Sequence, residues 1–290
     1  MRSICFFASF FTGRDIPYYV TVYLKELKKK FGEVEFLCSQ PQLSEASRVF
    51  LKTEGIGLSI EKNEGFDFGL WYKAFQRCRV ETYDQVALVN DSCILFAPLD
   101  GFMNWSQNSP GDLHGMTYSE AVAPHLQSYF LLIKKPALLF VNEYFAKQGI
   151  LGGLSEVIRV YEVGMCSYLI SKGLRLDAYV DNGGYRGEYS PYYRCVAHHL
   201  AKGIPLIKKK IIFSSYRKDE RMNLARMGFN ISVSHYVTLI QTYNTHLLLD
   251  LEHLGWDTSP AMSSFAKIRY WLLLWVIHLL RPFYKNRANA

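Results

Sequence analysis

Between Ser3 and Asn90 the chain alternates apolar, β-branched runs with segments whose apolar residues recur at helical spacing. That alternation confines it to the α/β class, a mostly parallel sheet flanked by helices. Residues 3–11 (SICFFASFF) are apolar enough for a buried strand. Pro17 then opens a helix with Val20, Tyr23, Leu27 and Phe31 on one face and Lys25, Lys28 and Lys29 elsewhere, stopped at Gly32. Residues 34–39 read as a second strand, 43–53 as a helix, and GLSI (57–60) as a short strand entering a loop. Residues 69–79 form a third helix, and DQVALVN (84–90) a further strand.

Beyond it, residues 114–120 and 128–135 read as strands, 155–172 as a helix ended by Gly173, and 174–180 as a last strand. A Gly-rich loop (181–191) leads to helical residues 192–203, which stop at Gly203–Ile204–Pro205. No linker divides the chain before about residue 230, so one domain is expected over 1–230 and a helical extension over 231–290.

Hydrophobic residues make up 49% of the 290 and charged residues 20%, the balance of a folded chain rather than a disordered one. Five cations (Lys267, Arg269, Arg281, Lys285, Arg287) and no acid occupy 265–290, which supplies most of the net charge of +7. A second basic run is Lys208–Lys209–Lys210. No Lys/Arg stripe is interleaved with aromatics, which argues against a nucleic-acid partner. The six cysteines include no C-x-x-C pair and lie mostly in apolar runs, as expected of reduced, buried thiols in a cytosolic protein. MRSICFFASFF reads as a first strand, not a signal peptide.

Ligands of open α/β sheets bind beyond the carboxyl ends of the strands. Asp91 stands at such an end, in Asn90–Asp91–Ser92. It either caps the following turn, ligates a metal or serves as a catalytic acid. NEGFDFGLW (63–71) concentrates two glycines and two acids before a helix, and glycines there permit close backbone approach to a ligand. Asn63 and Asp67 are its candidates for ligand contact, the alternative for Asp67 being a helix cap; Trp71 is read as core. His125 with Gln127, and the pair His198–His199, are further candidates for ligand contact. A structural histidine is the alternative in each case.

Several ordered blocks carry a family resemblance: IPYYVTVYLKELKK (16–29), NEGFDFGLW (63–71), YDQVALVNDS (83–92), HGMTYS (114–119), HLQSYFLLIKK (125–135), YEVGMCSYLISKGLRLDAY (161–179) and GIPLIKKKII (203–212). In this order, over residues 3–213, the chain resembles the rhamnan synthesis protein F family of bacterial polysaccharide glycosyltransferases. The resemblance implies a GT-A-like domain that transfers a sugar, rhamnose from a dTDP-rhamnose-like donor, to a cell-surface or lipid-linked glycan with inversion. A non-catalytic glycan-binding or assembly subunit on the same fold is the alternative. In such a domain the acidic motif after a central strand holds Mg²⁺ or Mn²⁺ on the donor diphosphate. Asn90–Asp91–Ser92 takes that place with a single carboxylate. Asp91 and His198 are then the implied metal ligands, with Lys208 and Lys209 as an alternative source of counter-charge. The resemblance likewise implies donor contacts for Asn63 and Asp67, a sugar hydroxyl for His125 with Gln127, and the metal or the diphosphate for His198–His199. Glu162 takes the place of the base that removes the acceptor proton, although Val163 follows where a second acid is common; Glu156 is a weaker candidate.

YWLLLWVIHLL (270–280) is apolar on every face and flanked by cations. It is shorter than the roughly 20 residues a bilayer span needs. It reads as an interfacial anchor on anionic lipid, with a core or dimer helix as the alternative. The expected location is peripheral, on the cytoplasmic face of the bacterial membrane.

Overall fold

The computed structural model describes residues 1–11, 13–120, 122–182 and 195–209. The chain begins with β1 (Ser3–Ser9), α1 (Tyr18–Lys30), β2 (Glu33–Cys38), α2 (Glu45–Thr53), β3 (Gly57–Ile60), α3 (Phe66–Arg77) and β4 (Gln85–Asn90). It continues with β5 (Cys93–Leu95), α4 (Asp100–Asn108), β6 (Leu113–Ser119), β7 (His125–Leu126), β8 (Phe130–Lys134) and α5 (Lys135–Gln148). Next come α6 (Leu154–Val157), a π-helical stretch (Ile158–Gly164), α7 (Met165–Ser171), β9 (Leu176–Val180), α8 (Val196–Ala201) and β10 (Leu206–Lys208).

The sheet order is β3-β2-β1-β4-β8-β6-β7, with β9 also paired to β6. β1, β2, β3 and β4 are parallel neighbours, and β9 is parallel to β6. β8 runs antiparallel between β4 and β6, and β7 antiparallel beside β6. The mostly parallel sheet expected from the sequence is present, with one reversed strand set into its middle. β5 and β10 form a separate antiparallel ribbon.

β4 is buried at all six positions and feeds both cores. Ala87 and Val89 pack in the cluster containing Phe7, Val20, Tyr23, Leu27 and Phe36. Val86 and Leu88 pack in the cluster containing Phe6, Phe68, Trp71 and Phe145. Alternation along a strand assigns each residue to one face. Each large side chain so buried contributes about 1.5–3 kcal/mol. Trp71 is fully buried as core, edge-on to Phe68 at 4.9 Å. The six cysteines, all among the described residues, are reduced thiols, and five of them are buried.

Several elements differ from expectation. β1 stops at Ser9, short of Phe11. α4, α5, β5, β7 and β10 were not expected. The segment 155–172 is helical but widens into a π-helix at its centre. α3 starts three residues early, at Phe66, so Asp67 belongs to its first turn and not to a loop. The described part of the expected helix 192–203 is α8. The boundary at 230, the extension 231–290 and the apolar tail lie outside the described residues. Among the described residues no helix is long and apolar enough to cross a membrane.

The glycines of NEGFDFGLW are required by the local fold. They admit the loop's own backbone. Gly65 caps α3 in the left-handed region, at φ 75°. A Cβ on Gly69 would lie 1.7 Å from the Glu64 carbonyl oxygen, an impossible contact. Gly69→Ala must therefore displace the Asn63–Asp67 turn, and it is expected to lower unfolding stability by at least about 3 kcal/mol. Gly152→Ala, whose Cβ meets nothing within 4 Å, is the control and should stay within about 0.5 kcal/mol. Chemical denaturation of both variants checks this.

Candidate active site

The alternation that divides β4 between two cores continues past its end. Asn90 follows Val86 and Leu88 toward α3, where its Nδ2 donates to Asp67 Oδ2 at 2.8 Å. Its Oδ1 accepts from the Ser92 amide (3.1 Å) and the Ser92 hydroxyl (2.6 Å). Asp91 follows Ala87 and Val89 toward α1. Its Oδ2 accepts from Ser9 Oγ at 3.0 Å and from Tyr19 Oη at 3.3 Å, and it forms an ion pair with Lys209 Nζ at 3.3 Å. The Asp91 amide donates to the Ala8 carbonyl at 3.2 Å, which fixes the turn against β1.

Lys209 arrives through the β5–β10 ribbon. Lys208 faces Cys93 in that pairing, and the Lys209 amide donates to the Ser92 carbonyl at 2.9 Å. Adjacent residues of an extended segment point to opposite sides. Lys209 turns to Asp91 and to Tyr19 Oη (2.8 Å), while Lys208 Nζ lies 5.4 Å from the centre of the Tyr129 ring.

Asp67 is half-buried among these groups. Burial pushes its carboxyl up to about 7, and the charge of Asp91 adds to the rise; the Asn90 hydrogen bond and Lys209 oppose it, and Glu162 contributes a smaller upward push. Glu162 therefore shares an electrostatic neighbourhood with Asp67, as do Asp91 and Lys209.

Glu162 sits in the π-helical stretch and accepts a hydrogen bond from Ser128 Oγ. Ser128 is next to Tyr129, whose carbonyl accepts from the Asn90 amide at 3.4 Å. A π-helical turn leaves backbone groups without their usual partners. Here Tyr144 Oη donates to the Val160 carbonyl at 2.8 Å. Gly164 admits that hydroxyl, since a Cβ there would lie 2.7 Å from it.

The remaining candidates are placed elsewhere. Asn63 and Glu156 are exposed. His125 is buried with Nδ1 2.7 Å from the Ala123 carbonyl, and Gln127 Oε1 accepts from Thr117 Oγ1 at 3.0 Å. Both are tied into the β6–β7 turn. His198 Nε2 meets Asp181 Oδ1 at 2.9 Å at the end of β9. His199 is buried with its imidazole pushed down to about 4 by desolvation. Sequence reasoning overlooked Ser9, Tyr19 and Ser128. Ser9 had a signal, a polar side chain closing a strand of otherwise apolar residues after Ser3.

The donor set does not fit Mg²⁺ or Mn²⁺. Such ions are held by one or two carboxylates together with substrate phosphate oxygens, and each ligand oxygen needs an open lone pair. One oxygen of Asp91 already faces two hydroxyls and an ammonium, the Asn90 amide oxygen is taken by Ser92, and His198 is held by Asp181. Among the described residues no group of three or more His, Cys, Asp or Glu side chains is arranged around a cation site.

The raised Asp67 carboxyl has a consequence for stability. A carboxyl whose midpoint rises on folding binds its proton more tightly when folded, so stability falls as pH climbs from about 4 to about 7. Asp67→Asn keeps an acceptor for Asn90 and removes the charge. Between pH 5 and pH 8 it is expected to gain roughly 2 kcal/mol on the parent, read from denaturation at both pH values.

Among solved structures, the chain is similar to one from Desulfovibrio desulfuricans G20 described as a nucleotide-diphospho-sugar transferase. Identity is 14%, with 84% of this chain and 99% of that chain covered and a TM-score of 0.43. It is also similar to the glycosyltransferase GlyE of Streptococcus pneumoniae TIGR4, at 12% identity, 91% and 66% coverage and a TM-score of 0.39. HddC from Yersinia pseudotuberculosis gives 10% identity, 62% and 91% coverage and a TM-score of 0.39. A search of curated proteins finds no match. The family described as rhamnan synthesis protein F matches residues 36–265, a span that holds Asp67, Asn90–Ser92, Glu162 and Lys209. That span is more than half of the chain, and the chain belongs to the rhamnan synthesis protein F family.

Proposed function

We propose that this protein is a glycosyltransferase that moves a sugar, rhamnose, from a nucleotide-diphosphate donor of the dTDP-rhamnose kind to a growing polysaccharide, with inversion. One observation carries the reading. In a chain of the rhamnan synthesis protein F family, Asp67, Asp91, Glu162 and Lys209 form a single electrostatic neighbourhood where β4 ends. Charge of both signs at a strand end suits a reaction in which a proton leaves one reactant and a diphosphate leaves the other.

Glu162 is the general base. The acceptor hydroxyl attacks the anomeric carbon from the side opposite the diphosphate, and Glu162 takes the hydroxyl proton. The bond from that carbon to the diphosphate oxygen breaks with its electron pair on the oxygen. Ser128 orients the carboxylate, and the π-helical turn presents it. Asn90, held by Asp67 and Ser92, borders the donor. The acceptor is a lipid-linked glycan at the inner face of the bacterial membrane, where the basic, apolar residues 265–290 hold the enzyme.

Glu162→Gln keeps the shape and removes the base. Turnover of the nucleotide sugar is expected to fall by about 10²–10⁴-fold while donor affinity stays within a few-fold. Full turnover in this variant would remove Glu162 from the mechanism. Wild-type protein that binds glycan but neither hydrolyses nor transfers from any nucleotide sugar would instead be an assembly subunit. Deleting residues 265–290 should release the protein from anionic vesicles in a sedimentation assay.

A further inference from the structure

The departing diphosphate needs a cation beside it, and the residues at Asp91 do not fit a divalent metal. We infer that Lys209 is that cation: its ammonium binds the donor diphosphate directly, and Asp91 is its anchor rather than a metal ligand. The inference rests on the glycosyl-transfer reading and assigns the leaving-group side of it.

Three observations place Lys209 in that role. Its main chain is tied to the acidic turn itself, through the amide bond to the Ser92 carbonyl at 2.9 Å and the β5–β10 ribbon. Its side chain is oriented from two directions, by Tyr19 Oη at 2.8 Å and by Asp91 Oδ2 at 3.3 Å. It also lies over the Tyr19 ring, 5.0 Å from the centre. An ammonium has three N–H donors. Among the described residues one of them goes to Tyr19 Oη, Asp91 faces the charge as an ion pair, and the side chain keeps 27% of its surface exposed. Donor capacity and one face of the charge are left for a ligand.

The charges fit the role. Asp91 sits at the end of a buried strand with 10% of its side chain exposed, and its carboxylate orients the Lys209 ammonium across the 3.3 Å ion pair. A diphosphate entering beside this pair meets a fixed positive charge whose site needs no metal loading. In the transfer step the ammonium stays protonated throughout. It offsets the charge that develops on the diphosphate oxygen as its bond to the anomeric carbon breaks, while the acceptor proton goes to Glu162. Lys208 faces Tyr129 on the other side of the ribbon.

The test uses the full chain and a panel of nucleoside diphosphates and nucleotide sugars, each in EDTA and in Mn²⁺. Calorimetry reads binding, and released diphosphate reads turnover. The expected result is binding and turnover that survive EDTA. Lys209→Met should weaken nucleoside diphosphate binding roughly ten- to a hundredfold, and Lys209→Arg should retain a part of it. Lys209→Met leaves Asp91 buried without its cation and is compared only where it is folded; the double variant Asp91→Asn with Lys209→Met keeps the turn neutral, and is expected to fold and still lose diphosphate binding. Turnover abolished by EDTA and restored by Mn²⁺ would overturn the role of Lys209 and leave glycosyl transfer standing. Normal diphosphate affinity in the folded double variant would overturn it as well. No binding or turnover with any donor, with or without metal, would overturn the transfer reading and this inference together.

Discussion

The burial of β4 on both faces is the constraint from which the site follows. Six consecutive buried positions require a strand with a core on each side, and alternation gives each core its own set of side chains. Where the strand ends, the same alternation is applied to polar residues. Asn90 is delivered to the α3 side and Asp91 to the α1 side. The two halves of Asn90–Asp91–Ser92 thus belong to different networks although they are adjacent in sequence. One network positions an amide through Asp67 and Ser92, and the other holds a charge pair.

The first network depends on a tight turn and the second on a long-range closure. Gly65 and Gly69 let α3 begin directly beneath Glu64, which brings Asp67 within reach of Asn90. Lys209 reaches Asp91 from more than a hundred positions away, carried by a two-stranded ribbon of only three residue pairs. Short ribbons are marginal alone. This one is held by burial of Leu206 and Ile207 in the same core as Ala87 and Val89. The core that fixes Asp91 therefore also fixes its cation, so packing and electrostatics at this point are one structure.

Much of this was legible in the sequence. Short apolar runs and a helix with a clear apolar face announced β1, α1, β2 and β4, and a carboxylate after VALVN announced the end of the sheet. What was hidden depended on pairing. The antiparallel insertion of β8 leaves no mark in its own residues, because FLLIK suits a buried strand of either direction. α5 did carry a mark, Pro136 in its first turn, but LLF only two residues after FLLIKK blurs the boundary between strand and helix. The glycines of NEGFDFGLW were visible as a close approach, yet sequence does not say what approaches. The candidates His125, Gln127 and His198 illustrate the same limit, since a polar residue near a strand end serves a turn as readily as a ligand.

The distinction between Lys208 and Lys209 shows where chemistry enters that composition cannot reach. As members of a basic run the two are equivalent. The register of β10 separates them, because pairing Lys208 with Cys93 turns the next side chain toward Asp91. A register shift of one residue would exchange them and put the ammonium on the Tyr129 side. The single carboxylate of the acidic turn, which looks deficient beside a two-aspartate metal motif, is then matched to its partner. One fixed monovalent cation needs one carboxylate to anchor it, and a second negative charge would compete with the diphosphate for the same ammonium. Asp67 shares that neighbourhood, and burial, which pushes its carboxyl up to about 7, weakens its competition for Lys209.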